Sequence, residues 1–495
     1  MTPTPTDQQQ ILTFFARSFA GDISLLAGKN FGAVTLSSGP PTVIDDLNGE
    51  PLFLDFGIQS EDGSQIGTIR SSARGEELPA IDSIALGRPY FDPVTATSAA
   101  IAQSRKDLPN SKVNSTALVC YGYPHIGVLV KCTVGSQSWS LVYDASVGVL
   151  VQKWQGTLAP AASEAGVLQE PIDGLPFYSF LDRMRSFQAE GAVVATSASS
   201  NQWAGLRTAV VGTAAAPASG KAAMPARSAI AGAATAAPPK PRVIVRGTLL
   251  PARPVGQETQ VYCAVATVEM MLDFLGISNL TQTQIAQALN TTADGTTNSG
   301  MVAGIAALTQ GQWVASVVTL PAFEQNVNLV DALIPAKSAI PGHARLLRGW
   351  REYCFIGAAG EVVHREQFYV INDPYPVGTG QLVLESAVTP IPNFYTNSLF
   401  VTRAGSSDGP QAGGAPIAGD GSTGEGGATS GTVEGGSAKV FQTPAASAAG
   451  GAVRAINSRT IEVRLPPGIP VSSGEPVRPE VLDLMAAILR IGQSG

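Results

Sequence analysis

The chain has little charge: Asp, Glu, Lys and Arg make up 14% of it, and the balance is acidic, at a net -7. Without clustered Lys and Arg there is nothing to neutralise phosphates, so nucleic acid is excluded as the expected partner. Long apolar runs are missing too. Hydrophobic residues reach 44%, yet no window approaches the roughly 18 uncharged apolar residues of a spanning helix, and no membrane span is expected. Cysteine is scarce, with four in 495 residues and no Cys-x-x-Cys, which excludes a disulfide scaffold and gives a metal no ligand set. No cofactor is implied. Only three histidines are present, which narrows any search for an imidazole base. The opening Met-Thr-Pro-Thr-Pro-Thr has neither a basic nor an apolar leader region, so Sec export is not expected from this start and the compartment stays open. Arg exceeding Lys in an Ala- and Gly-rich chain is a compositional hint of a GC-rich bacterial genome.

What is present divides by composition. Residues 8–190 carry strand and turn signals. Ile11, Leu12, Phe15 and Phe19 form one helical stripe, expected to pack on the sheet that follows, and Asn48-Gly49 and Asp62-Gly63 mark hairpin turns. A helix near 95–105 precedes four closely spaced strands, so an antiparallel α+β unit is expected. Cys120 and Cys132 are expected there as buried reduced thiols, and His125 as an ordinary turn histidine. Residues 191–242, rich in Ala, Ser, Gly and Pro, read as a linker. A second compact unit is expected over 243–404. A disordered Gly, Ser and Ala segment is expected over 405–455, then a strand at 460–465 and an amphipathic helix at 479–491 within a C-terminal piece, 456–495.

Within the second unit, Gln257 to Gly276 puts a thiol at the mouth of a helix. Val268, Met271, Leu272 and Leu275 recur at three- and four-residue steps, and Gly276 suits a left-handed C-terminal cap, so Cys263 falls in the first turn. There the helix dipole and unpaired N–H groups favour a thiolate. The Gln257 amide, six residues upstream, is the expected partner of the Cys263 N–H in cradling an oxyanion, with Gln260 as the rival donor. A thiol nucleophile needs an imidazole and a group to orient it. Of the two histidines in this unit, His343 follows the turn Pro341-Gly342, whereas His364 lies in the polar stretch 361–366; His343 is the candidate base. Asp373 or Asn372, at the end of a later strand, would orient its ring. Cys354 has neither a helix mouth nor an adjacent histidine and reads as structural.

Gln-x5-Cys opening an apolar helix, Gly342-His343 leading into a strand that ends Gly349-Trp350, and Val370-Ile371-Asn372-Asp373-Pro374 occur here in that order. This set resembles the papain-like cysteine peptidases, most closely the compact bacterial branch related to the peptidase domains of bacteriocin exporters, the C39-like group. The resemblance covers about 255–402. It implies an α+β fold, a helical lobe followed by an antiparallel sheet lobe, here preceded by a separate antiparallel α+β domain. It also implies a protein or peptide substrate, and it favours Asp373 over Asn372 as orienter. The chain departs from the family in carrying Ala264-Val265 where a Gly usually follows the nucleophile.

The stretch Asp46-Leu47-Asn48-Gly49-Glu50-Pro51-Leu52-Phe53-Leu54 and the strand order of the first unit are similar to the inhibitory prodomains ahead of some bacterial cysteine peptidases. That similarity implies a zymogen restrained by its own N-terminal domain, and scission in the 191–242 tether would release it. Two other readings keep the same residues: acyl transfer to an amine, as in transglutaminase-like enzymes, and a catalytically inactive peptidase fold used as a binding module.

Overall fold

The computed structural model describes residues 5–18, 31–87, 89, 91–156, 177–189, 194–211, 242–318, 330, 334–340, 342–357, 360–388, 397–405, 452–457 and 460–464. It is a mixed α+β structure. Helix α1 (Pro5–Ser18) leads into strands β1 (Thr35–Leu36), β2 (Thr42–Asp46), β3 (Pro51–Gln59), β4 (Gln65–Ser72) and β5 (Ser83–Leu86). Helix α2 (Pro93–Asp107) precedes the meander β6 (Lys112–Gly122), β7 (His125–Val134), β8 (Gln137–Asp144) and β9 (Leu150–Gln155). Helices α3 (Phe180–Ala189) and α4 (Val194–Leu206) follow, the latter running into a π turn at Arg207–Val211. Strand β10 (Arg242–Leu249) then leads to three helices, α5 (Cys263–Phe274), α6 (Gln282–Ala288) and α7 (Asn298–Leu308). Strands β11 (Trp313–Val318), β12 (Ala336–Ile340), β13 (His343–Ile356), β14 (Val362–Asp373), β15 (Gln381–Ser386) and β16 (Asn397–Arg403) come next. A hairpin, β17 (Ala452–Asn457) and β18 (Thr460–Arg464), closes the described chain.

Local chemistry accounts for many of these boundaries. The β2–β3 turn uses Gly49 at φ +86°, with the Asn48 side chain accepting from the Glu50 N–H at 2.9 Å. At α2, Asp92 caps the Thr95 N–H at 2.7 Å and Pro93 takes the first helical position, where its missing N–H costs nothing. Thr281 and Gln284 form a reciprocal capping box on α6.

Among the described residues sixteen strands form one sheet, in the order β11-β16-β12-β13-β14-β15-β5-β4-β3-β2-β6-β7-β8-β9, with β1 added on β3 and β10 on β13. Every pairing is antiparallel except β2 with β6. The separate sheets expected for the two units are therefore joined. Leu382, Val383, Leu384 and Glu385 of β15 face Leu86, Ala85, Ile84 and Ser83 of β5. Each strand would otherwise be an open edge with unpaired N–H and C=O groups, and pairing satisfies both.

Side chains cross the same seam. One core combines Phe53, Tyr123, Ile126 and Phe180 with Leu347, Tyr369, Ile371 and Phe400. A second joins Ile11, Phe15, Ile69 and Ile84 to Tyr353, Phe355, Phe368 and Leu384. Helix α1 thus packs beyond the strands that follow it, Phe15 lying 6.0 Å from the Phe355 ring and 6.3 Å from Phe368. A third core, around Val265, Val268, Met271, Ile285 and Ile305, belongs to α5, α6 and α7.

The 191–242 segment also departs from a plain tether. Residues 194–211 are helical, because Gln202 and Trp203 give this small-residue stretch something to bury. The Trp203 indole N–H lies 2.9 Å from the Gly75 carbonyl and 3.0 Å from that of Leu78, and Gln202 donates to Glu366 at 2.7 Å. Residues 212–241 lie outside the described residues, as do 406–451 and the helix expected at 479–491. Strand β18 covers most of the strand expected at 460–465. Cys120 and Cys132 are free and buried, and each pairs with a different residue, Ile126 and Val113 respectively. No described helix is long and apolar enough to cross a membrane.

Candidate active site

The helix α5 starts at Cys263. Its N-cap, Tyr262, supplies no side-chain hydrogen bond, so the first-turn N–H groups remain directed at the thiol end. Residues Ala264 to Val268 are buried against the third core, whereas Cys263 is partly exposed. The Thr267 hydroxyl lies 2.8 Å from the Cys263 carbonyl and 3.1 Å from that of Ala344, which pins the helix mouth to the start of β13. That start is His343. Gly342, at φ +73°, turns the chain into the strand.

His343 Nε2 lies 2.7 Å from Asp373 Oδ1, with both side chains buried. Its other ring nitrogen is left for the Cys263 thiol, and the two groups shift one another's ionisation. Burial alone would push the thiol up, but the hydrogen bond and charge of His343, helped by the Ala344 and Ala264 N–H groups, bring it below the ordinary range. Burial disfavours a charged His343 as well, yet the Asp373 carboxylate and the Cys263 thiolate outweigh it and raise the ring to about 9. Asp373 opposes its own burial with the charges of His343 and Arg345 and stays below the usual carboxylate range. The arrangement favours a thiolate facing an imidazolium.

The strand period separates the two candidate orienters. Asn372 points to the opposite face from Asp373, donating to the Ala252 carbonyl at 3.2 Å and accepting from Arg348 at 3.3 Å. His364 pairs with Glu366 and packs on Phe355. The Cys354 thiol donates to Glu352 at 3.3 Å and is pushed up to about 11, by burial and then by that carboxylate.

Residues 249–386 match the Peptidase_C39 like family. This match supports a papain-like cysteine peptidase family for the segment. No curated protein and no solved structure matches the chain. Among the described residues no group of three His, Cys, Asp or Glu is placed to hold a metal.

The C39-like segment holds Gln257 differently from the expected oxyanion donor. Its Nε2 lies 2.8 Å from the Thr259 carbonyl and 2.9 Å from that of Gln260, so both amide protons are engaged within the loop. Two carbonyl neighbours also fix which end of the amide is nitrogen. The Gln257 backbone accepts from Gly378 at 2.8 Å and donates to Pro374 at 2.9 Å, bracing the loop after Asp373. Gln260 Nε2, in contrast, is buried without a partner among the described residues. Gln260→Ala is therefore expected to lower kcat by roughly a hundredfold with little change in KM, while Gln257→Ala acts mainly through loop stability. Steady-state kinetics and melting curves of the two variants check this ranking, and a larger kcat loss for Gln257→Ala returns the oxyanion role to Gln257.

Four further residues at the C39-like site carry no local sequence signal. Arg345, fully buried, forks onto Glu385, one bond measuring 3.0 Å, and places its charge beside Asp373. Lys337, buried on β12, donates to Asn298 at 2.7 Å; burial lowers it to about 8, against the pull of a Cys263 thiolate. Tyr375 donates its N–H to Asp373 Oδ1 at 2.9 Å. His125, from the first unit, is also here: its ring centroid is 4.9 Å from that of His343. Behind Asp373 a cleft of about 560 Å³ runs along the β5–β15 seam, lined by Arg70, Tyr123, Arg345, Gln381 and Glu385 among others. Neither Cys263 nor His343 lines it, so it is not the cleft in which a scissile bond would lie.

Proposed function

We propose that the chain is a cysteine peptidase that hydrolyses peptide bonds of a protein or peptide substrate through a thioester on Cys263. The observation that carries this is the joint placement of Cys263, His343 and Asp373: a helix-mouth thiol, an imidazole on it, and a buried carboxylate 2.7 Å from the second ring nitrogen. The Cys263 thiolate attacks the scissile carbonyl, and the charge that develops on oxygen meets the Cys263 N–H and a glutamine amide. His343 gives its proton to the leaving amine, and the C–N bond breaks to leave the thioester. The neutral ring then takes a proton from water, the hydroxide attacks the thioester, and the C–S bond breaks to release the carboxylic acid product and return the thiolate beside the protonated ring. Asp373 keeps the ring in the tautomer that serves both steps.

The first unit is read as a permanent wall of this site. Release on scission of the tether would require separating β5 from β15 and dividing two hydrophobic cores, so the shared sheet lends a dissociable inhibitory domain no support. The test of the site is iodoacetamide labelling of the native protein near pH 7. Cys263 is expected to react fast and alone, since burial pushes the Cys120 thiol up to about 12, Cys354 is up at about 11, and Cys132 is also raised. Equal, slow labelling of all four thiols overturns the reading and leaves an inactive fold.

A further inference from the structure

We infer that His125, supplied by the first unit from outside the C39-like segment, is a positioning residue that walls the His343 imidazole. The inference rests on the proposed roles of Cys263 and His343.

His125 opens β7 and is 2% exposed. Its ring meets His343 nearly edge to face, at 4.9 Å and 73°, and Tyr375 likewise, at 4.5 Å and 65°. On its other side it stacks with Tyr121 at 5.7 Å. Only three histidines occur in the chain, and two of them are packed together here.

The contacts form a closed ring across both units. The Tyr121 and Tyr375 hydroxyls both donate to Asp144 Oδ2, at 2.6 and 2.8 Å. Asp144 Oδ1 accepts from the Ser146 N–H at 2.8 Å and lies 3.1 Å from that of Val147, so the carboxylate is fixed. Tyr375 in turn donates its N–H to the same Asp373 oxygen that holds His343. From Asp144 the path runs through Tyr375, Asp373, His343 and His125 back to Tyr121. A ring boxed in this way loses the freedom to swing away from the thiol, and a misplacement of about 1 Å in such a group can cost on the order of a hundredfold in rate.

His125 suits this place only while uncharged. Its Nδ1 lies 2.9 Å from the Gly122 carbonyl, which assigns the proton to that nitrogen. The ionisable groups around it are His343, Asp373, Asp144, Tyr121 and Tyr375. Burial, followed by the charge of His343, lowers His125 to about 4, so near neutral pH it offers the His343 imidazolium a neutral aromatic surface. An aromatic ring, and not a second base, is what the position requires.

The experiment compares the full-length wild type with His125→Ala and His125→Phe, following the rate of iodoacetamide modification of Cys263 from pH 4 to 10 with melting curves alongside. His125→Ala is expected to slow modification at pH 6 to 7 about tenfold and to draw the alkaline limit of the His343 ion pair downward, as the loosened ring gives up contact with the Asp373 and Cys263 charges that raise it by more than the relief of burial returns. His125→Phe, which restores the wall without a titrating group, is expected to stay within about threefold of wild type with an unchanged profile. If the alanine variant does not fold, His125→Asn keeps a donor for Gly122 without the ring and is expected to behave as the alanine variant does. Wild-type rates from a folded ring-less variant, or a phenylalanine variant as slow as the ring-less one, overturn the inference. A lowered melting temperature with an unshifted profile also overturns it, since that is a structural role alone. If wild-type Cys263 itself is unreactive, the failure lies with the active-site reading and not with His125.

Discussion

Replacing Cys263 by alanine is expected to abolish peptide-bond hydrolysis, with kcat falling by roughly 10⁴-fold or more, as for removal of the nucleophile in other acyl-transfer triads. The fold should survive, because Cys263 is only partly buried at the end of α5 and the third core begins with Ala264 and Val265 behind it. Loss of one sulfur atom at a helix mouth leaves no cavity of consequence. His364→Ala is the internal control: that ring is engaged by Glu366, and the variant is expected to hydrolyse substrate at the wild-type rate. Hydrolysis of labelled casein reads both variants. Activity persisting in folded Cys263→Ala protein removes Cys263 from the mechanism.

Substitution at His343 is expected to have an effect of similar size and a different signature. Without the imidazole, the thiol loses the hydrogen bond and charge that hold it down, while the burial that pushes it up remains. His343→Ala should therefore abolish hydrolysis and also slow iodoacetamide at pH 7, with labelling recovering only as the pH rises past the ordinary thiol range. In the wild type, activity requires a deprotonated Cys263 and a protonated His343. It should rise with pH through the lowered thiol ionisation and fall through that of the ring, at about 9. Asp373→Asn removes the charge that raises His343, so the alkaline limb should move down, toward the ordinary histidine value. A reduced remnant of hydrolysis, roughly a tenth to a hundredth, should persist because an amide oxygen still accepts from the ring. A pH profile of kcat/KM checks both limbs, and an alkaline limb unmoved in Asp373→Asn would take His343 out of the role of acid.

The family resemblance, the thiol at the helix mouth, the histidine after Gly342 and the aspartate before Pro374 were all legible in the residues. Each rests on chemistry that is local in the chain: the apolar stripe behind Cys263, the turn before His343, the strand before Asp373. The Asn48-Gly49 turn and the α2 helix near 95–105 were legible for the same reason. Other features depended on pairings between distant segments. Asn372 and Asp373 are adjacent in sequence, and only the alternation of β14 decides that one faces Ala252 and the other His343. The amide of Gln257 looked available until the loop carbonyls of Thr259 and Gln260 were seen to occupy it.

The largest revisions come from β5 and β15, whose pairing is made by backbone groups that every residue carries and that leave no motif to read. That pairing joins two units whose composition suggested separate domains on either side of a linker. It also brings His125 onto His343 across more than two hundred residues of chain, turning an apparently ordinary turn histidine into a wall of the site. The sequence by itself determined which side chains are candidates for the chemistry, because helix ends, turns and strand ends are encoded within a few residues. The tertiary structure decided which of them meet, because sheet register and shared cores are set by contacts that no local pattern records.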